Sequence, residues 1–174
     1  MFQRAVTMKH HWHTAWHGQD IVVYRDDTEV DRLRASDIRR VIFVQDGPGF
    51  SAGDLAFAVV EFDTEHVVLP ADTGFAGLVN FERQAFWAAK DCIYWAEHRH
   101  APLPPSCRRG FLHRTPQFVR LPQAELAPLI ERWRIEGPQT WDQRRWQRIE
   151  NERPFGPSSW PPREHAHSSA RGDL

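Results

Sequence analysis

Ala71-Asp72-Thr73-Gly74-Phe75-Ala76-Gly77-Leu78-Val79-Asn80-Phe81-Glu82-Arg83-Gln84-Ala85-Phe86-Trp87-Ala88-Ala89-Lys90-Asp91-Cys92-Ile93-Tyr94-Trp95 is the stretch on which the fold turns. It reads as one amphipathic helix, with residues 72–90 as its body, closing a run of β-strands. At about 100° per residue, Phe75, Leu78, Val79, Phe81, Ala85, Phe86, Ala88 and Ala89 share one broad arc. Glu82 falls inside that arc. Trp87 falls opposite it, among Asn80, Arg83, Gln84 and Asp91. A carboxylate on the buried side needs a partner, because an unpaired one costs several kcal/mol or stays protonated. An arginine on a neighbouring strand is the natural partner; the rival role for Glu82 is a polar contact in a binding groove.

Upstream, turn chemistry divides the chain into short strands. Residues 12–16 and 20–25 come first, followed by the turn Asp26-Asp27-Thr28, then 30–35 and the β-branched run 38–44. Asp46-Gly47-Pro48-Gly49-Phe50-Ser51-Ala52-Gly53 is a glycine-rich connection. Residues 55–62 are apolar at nearly every position, as in a strand covered on both faces, and 66–69 pair back after Asp63-Thr64-Glu65. Pro70 then ends the sheet, and Asp72 or Thr73 is placed to cap the helix.

Beyond residue 95 the character changes, with eleven of the thirteen prolines lying after residue 100. Residues 96–121 read as a proline-rich connection, since such a stretch cannot be a central strand or an unbroken helix. Residues 122–153 read as a helical hairpin packed on the β-domain of residues 10–95. Its first helix carries Leu126, Leu129, Ile130 and Trp133 at i, i+3, i+4 and i+7 and ends at Gly137-Pro138. Its second opens on the capping signature of Thr140 and Gln143, with Trp141, Trp146 and Ile149 on a thin apolar side. Residues 154–174 read as a disordered tail.

The stretch Asp20-Ile21-Val22-Val23-Tyr24-Arg25-Asp26-Asp27-Thr28-Glu29-Val30-Asp31-Arg32-Leu33-Arg34-Ala35-Ser36-Asp37-Ile38-Arg39-Arg40-Val41 resembles the strand, turn, strand, Ser-Asp-Ile-x-x-Val run of bacterial pleckstrin-homology-like domains. The resemblance extends over about residues 10–91. It implies antiparallel strands closed by one C-terminal helix. Six strands are visible where that family has seven, and the basic phosphoinositide loop of its eukaryotic relatives is not evident. What it implies is therefore a scaffold rather than lipid binding. The expected fold is α+β: an antiparallel, strongly bent sheet or small barrel closed by one amphipathic helix, plus two C-terminal helices.

Composition narrows the function. At 174 residues, 41% of them hydrophobic and eight of them tryptophan, the chain can build a real core. A net charge of −1 gives no global field to draw in nucleic acid or an anionic membrane. Lys9 and Lys90 stand against twenty arginines, a bias that a GC-rich genome explains. No apolar run approaches the ~18 residues of a membrane span. Residues 1–8 lack a signal-peptide core, and Met8 would serve as a start as well as Met1. Cys92, in an apolar string, is expected to be a buried reduced thiol in a cytoplasmic protein.

Four patterns suggest chemistry. Gly49-Phe50-Ser51-Ala52-Gly53 matches the nucleophile elbow of serine hydrolases, yet the segment after it reads as a strand instead of the required helix. His11/His13, His98/His100 and His165/His167 are H-x-H pairs, which on a strand put two imidazoles on one face for a metal; the plainer reading is solvated histidines, and no cofactor is expected. Trp133, Arg134, Trp141, Arg144, Arg145, Trp146 and Arg148 could stack on bases, but interleaved carboxylates cancel the field. Cys92 and Cys107 lack the cationic setting of a nucleophile. The expected function is therefore non-enzymatic binding of a protein partner, or self-association, through an exposed Trp/Arg surface. Glu82, Arg83, Trp87, Trp133 and Trp146 are its candidate residues. The alternative is a metal-dependent or serine hydrolase using the histidine pairs or Ser51.

Overall fold

A computed structural model describes residues 10–46, 54–73, 92–109, 116–139 and 143. Within them the protein is α+β, with nine strands in two sheets and one α-helix. The first sheet is an antiparallel meander of β1 (Trp12–His17), β2 (Asp20–Arg25) and β3 (Thr28–Arg34). Both of its turns are two-residue loops. Gly18, at φ 64°, opens the first, and Asp26 and Asp27, at φ 50° and 62°, form the second. Paired positive φ values give the turn twist that matches the strands, and aspartate tolerates them. The Asp26 carboxylate accepts from the His11 amide at 2.8 Å and from His10 Nδ1 at 2.6 Å. These bonds, the backbone one foremost, hold it below the usual carboxylate range.

The second sheet contains β4 (Arg40–Gln45), β5 (Leu55–Glu61), β6 (Glu65–Pro70), β7 (Ile93–Glu97), β8 (Val119–Pro122) and β9 (Ile135–Glu136), in the order β8-β6-β5-β4-β7-β9. Every pairing is antiparallel except that of β4 with β7. The expected all-antiparallel sheet is thus corrected to two sheets, one of them mixed, and the described residues form no closed barrel.

The opening stretch is corrected at its end. Ile93–Glu97 is a strand, so the helix does not reach Trp95. Four successive apolar residues, Cys92 to Trp95, satisfy a helical arc as well as a doubly buried strand, and periodicity alone does not separate the two. The pleat settles it: Ile93 and Trp95 pack on one side of the sheet, Tyr94 and Ala96 on the other. Ala71–Thr73 forms a single 3-10 turn in which Thr73 Oγ1 donates to the Pro70 carbonyl at 2.6 Å. The helix expected over residues 72–90, with Glu82, Arg83 and Trp87, falls from residue 74 onward outside the described residues.

The mixed sheet is the middle layer of three. One face, with Val41, Phe43, Ala58, Val60, Val67, Leu69, Ile93 and Trp95, packs on Ile21, Val23 and Leu33 of the meander. The other, with Ile42, Val44, Phe57, Val59 and Val68, is covered by Leu121, Leu126, Ile130 and Trp133. Central strands buried on both faces need continuous apolar sequence, which explains 41–44 and 57–60. A register shift between Val44 and Gln45, opposite Leu55 and Phe57, puts those two residues in different layers although they are two apart.

Helix α1 (Gln123–Ile130) supplies Leu126 and Ile130 to the outer layer. It ends well before Gly137, contrary to expectation. Pro128 offers no amide to the helical ladder, the amides of Arg132 and Trp133 bond back to Leu129 and Ile130 in tight turns, and the chain then extends into β9. Trp133 is therefore past the helix, although buried with it. At Gly137, φ 140°, a β-carbon would lie 2.9 Å from Tyr94 Cδ1, so glycine permits the close pass over β7. The second C-terminal helix expected from Thr140 onward, with Trp146, and the tail 154–174 lie outside the described residues except for Gln143.

Candidate functional site

The parallel neighbours β4 and β7 stop together. Gln45 is in register with Glu97, so the next residues, Asp46 and His98, emerge side by side although far apart in sequence. The Asp46 amide donates to the Asp54 carbonyl at 2.8 Å, closing the β4–β5 hairpin. Its carboxylate is hydrogen-bonded to His98 Nδ1. That acceptor fixes the imidazole tautomer and leaves Nε2 as an acceptor for something else. The edge of the His98 ring meets Phe57 at 5.6 Å and 82°.

These residues form one wall of an open cavity of about 460 Å³. Arg99, within the one-turn 3-10 helix His98–His100, shares its charge with Glu97. Pro102 and Leu103 continue the wall, and Arg108 and Pro116 bridge as an isolated strand pair across it. Arg108 Nη2 donates to the Leu103 carbonyl at 3.2 Å, and among the described residues it makes no ion pair. Gln117 holds the loop from both sides: its amide donates to Cys107 at 2.8 Å and its Nε2 to Ser106 at 3.0 Å. Prolines on both sides stiffen the cavity before anything binds.

A second concavity, of about 360 Å³, lies on the outer face of the mixed sheet. Arg40 opposes Glu61 across β4 and β5, and Glu61 opposes His66 across β5 and β6. Arg40 Nε and Nη2 both donate to Glu61 Oε2, at 2.9 and 2.7 Å, and the guanidinium lies 5.4 Å from the Tyr94 ring centroid. The His66 imidazole, with Nε2 3.8 Å from Oε2, and then the Arg40 hydrogen bonds hold the Glu61 carboxyl below the usual range, against the effect of burial. Trp133, one of the sequence-derived binding residues, lines this cavity at 7% exposure instead of standing on an open surface. Trp95 is fully buried, and Trp12 and Trp16 pack against the inter-sheet core.

The other candidates fall elsewhere. His11 and His13 project from the outer side of β1 with ring centroids 5.5 Å apart, and His13 stacks on Tyr24 at 4.7 Å. The described residues bring no three His, Cys, Asp or Glu side chains together to hold a metal. His98 and His100 do not converge on one point: the first bonds Asp46, and His100 Nε2 is 3.7 Å from Glu97. Cys92 and Cys107 are both buried, and burial raises the Cys107 thiol to about 11. Ser51 lies outside the described residues; β4 and β5, on either side of its segment, pair antiparallel.

The groove beside Asp46 and His98 was not singled out from sequence. Its one local signal is Pro102-Leu103-Pro104-Pro105 flanked by His98-Arg99-His100 and Arg108-Arg109. No family model matches the chain, and no curated protein or solved structure is significantly similar to it. The pleckstrin-homology-like resemblance is thus neither strengthened nor weakened by a known relative. No helix among the described residues is long and apolar enough to cross a membrane.

Proposed function

We propose that this is a binding protein whose groove at the ends of β4 and β7 takes a short acidic segment of a protein partner. One observation carries the reading: a stiff, open cavity combines the Arg99 and Arg108 guanidiniums and the His98 imidazole with the apolar Pro102, Leu103 and Pro116. Arginine pairs with carboxylates in a planar two-point geometry. A wall held by proline and by hydrogen bonds loses little entropy on binding. Arg99 is paired with Glu97, and among the described residues Arg108 makes no ion pair, so its guanidinium is the groove's open cation.

Panning a displayed random-peptide library on the purified protein tests this. Binders enriched in Asp or Glu beside apolar residues, and lost on Arg108→Glu, are expected. Binders without acidic character, or indifferent to Arg108→Glu, would sink it.

One observation favours a second reading: Asp46 and His98 form a carboxylate–imidazole pair at the root of the segment carrying Ser51. A serine hydrolase would use such a pair as its base. The hairpin setting argues against it, and Ser51 that resists a fluorophosphonate probe disposes of it.

A further inference from the structure

Two opposite charges share the groove at the ends of β4 and β7 without meeting. Arg108 Nη2 reaches only the Leu103 carbonyl, and among the described residues the guanidinium makes no ion pair. Asp46, 67% exposed, places Oδ1 on His98 Nδ1, and no arginine or lysine among the described residues pairs with it. Both side chains line the same cavity of about 460 Å³. Each is held at its own station. The Asp46 amide is bonded to the Asp54 carbonyl at 2.8 Å, the Arg108 amide to the Pro105 carbonyl at 3.1 Å, and Arg108 bridges to Pro116. Arg99 is matched by Glu97 and adds no open charge. Opposite charges kept apart on a stiff frame do nothing for each other in the empty groove. They suit an occupant that brings one charge of each sign.

His98 sharpens the anionic pole. An ionised carboxylate only accepts, so the hydrogen bond to Asp46 keeps a proton on Nδ1, and Nε2 of the neutral imidazole retains its lone pair. That Nε2 is not enclosed and has no partner among the described residues. Asp46 Oδ2 and His98 Nε2 are therefore two acceptors carried by one hydrogen-bonded pair. A lysine ammonium, with three donors, or a guanidinium, with five, can serve both. At the other pole, Arg108 still has Nε and Nη1 to offer a carboxylate. Pro102, Leu103 and Pro116 add apolar surface to the same cavity.

Building on the reading that this groove takes an acidic segment of a partner, we propose that the segment is bipolar. Its Asp or Glu pairs with Arg108, a nearby Lys or Arg donates to Asp46 and His98, and an apolar residue of the same segment lies against Leu103 and Pro116.

The test titrates the intact chain at pH 8 with the capped peptides Glu-Leu-Lys and Glu-Leu-Ala-Lys, and with counterparts carrying norleucine in place of lysine. Backbone amide resonances around the groove report the affinity. Norleucine keeps the apolar stem and removes the charge. Expected on the wild type is tighter binding of a lysine peptide than of its norleucine counterpart by about threefold, the size of one exposed ion pair. Asp46→Asn should abolish that preference. Arg108→Gln should weaken all four peptides and leave the preference in place. Both substituted side chains face water, and an unchanged amide spectrum away from the groove shows that each variant is folded. Binding that depends on Arg108 but is equal for lysine and norleucine, or a preference that survives Asp46→Asn, would overturn the bipolar segment and leave the acidic one standing. No binding, or binding indifferent to Arg108→Gln, would overturn both.

Discussion

Replacing Arg120 with methionine removes the clamp between the two sheets. Arg120, on β8, donates from Nε and Nη2 to the two oxygens of Asp31 on β3, at 2.7 and 3.0 Å. Nη1 reaches Glu65 on β6, Nη2 also touches the Arg32 carbonyl at 3.3 Å, and the guanidinium sits 5.7 Å from the Phe62 ring centroid. Asp31 holds the guanidinium still more firmly protonated than usual. Exposed ion pairs contribute about 0.2–1 kcal/mol, whereas hydrogen bonds to charged groups shielded from water contribute about 1.5–3. Side-chain exposures of 32% for Arg120 and 17% for Asp31 put this pair between those limits. Arg120→Met keeps most of the aliphatic contact and should cost about 1–2 kcal/mol, a fall in Tm of roughly 3–8 °C for a chain of this size. Thermal unfolding of wild type, Arg120→Met, Asp31→Asn and the double variant gives the coupling directly. A coupling near zero, or an unchanged Tm in Arg120→Met, would refute the clamp and leave the sheets held by apolar contact alone.

Two further outcomes are expected. The Glu61 carboxyl has a folded pKa below its unfolded one. Its contribution is therefore complete above the unfolded value, about 4.3, and is lost as pH falls through the folded value. Glu61→Gln should be less stable than wild type at pH 7, with the gap closing in acid; urea midpoints at pH 7, 4 and 3 measure this, and a constant gap rejects it. Because Cys107 is buried and its thiol sits at about 11, a thiol reagent at pH 8 should leave Cys107 unmodified in the native protein. Mass spectrometry of native and denatured samples checks this, and rapid native labelling contradicts the buried setting.

The strands were legible where a short β-branched run has a turn residue at each end. Residues 20–25 were read as they stand and the turn after them one residue too long, Thr28 already belonging to β3; a β-branched run ended by two aspartates is a local signal. Cys92 to Trp95 were not, because burial on both faces erases the alternation that marks a strand. The division into two sheets was equally hidden: Phe43 and Val44 face different layers, and nothing in their identity says which. The groove illustrates the same limit, since Asp46 and His98 are ordinary residues until the parallel register aligns them. Helical spacing placed Trp133 on the apolar stripe, where it is buried, although the helix had already ended; its expected place on an exposed surface did not hold.

The parallel pairing of β4 with β7 also has a consequence for the order of assembly. The meander and the β4–β5–β6 hairpins join neighbours in sequence and can zip soon after collapse, while Val41 must wait for Ile93. Contacts of such separation lower folding rates, because the loop entropy is spent before they reward it. The Asp46–His98 corner thus comes into being among the last native features. Pulsed hydrogen exchange should find the amides of β7 protected after those of β2, so the groove exists only on chains that have finished folding, and a partner that recognises it reads completion as well as identity.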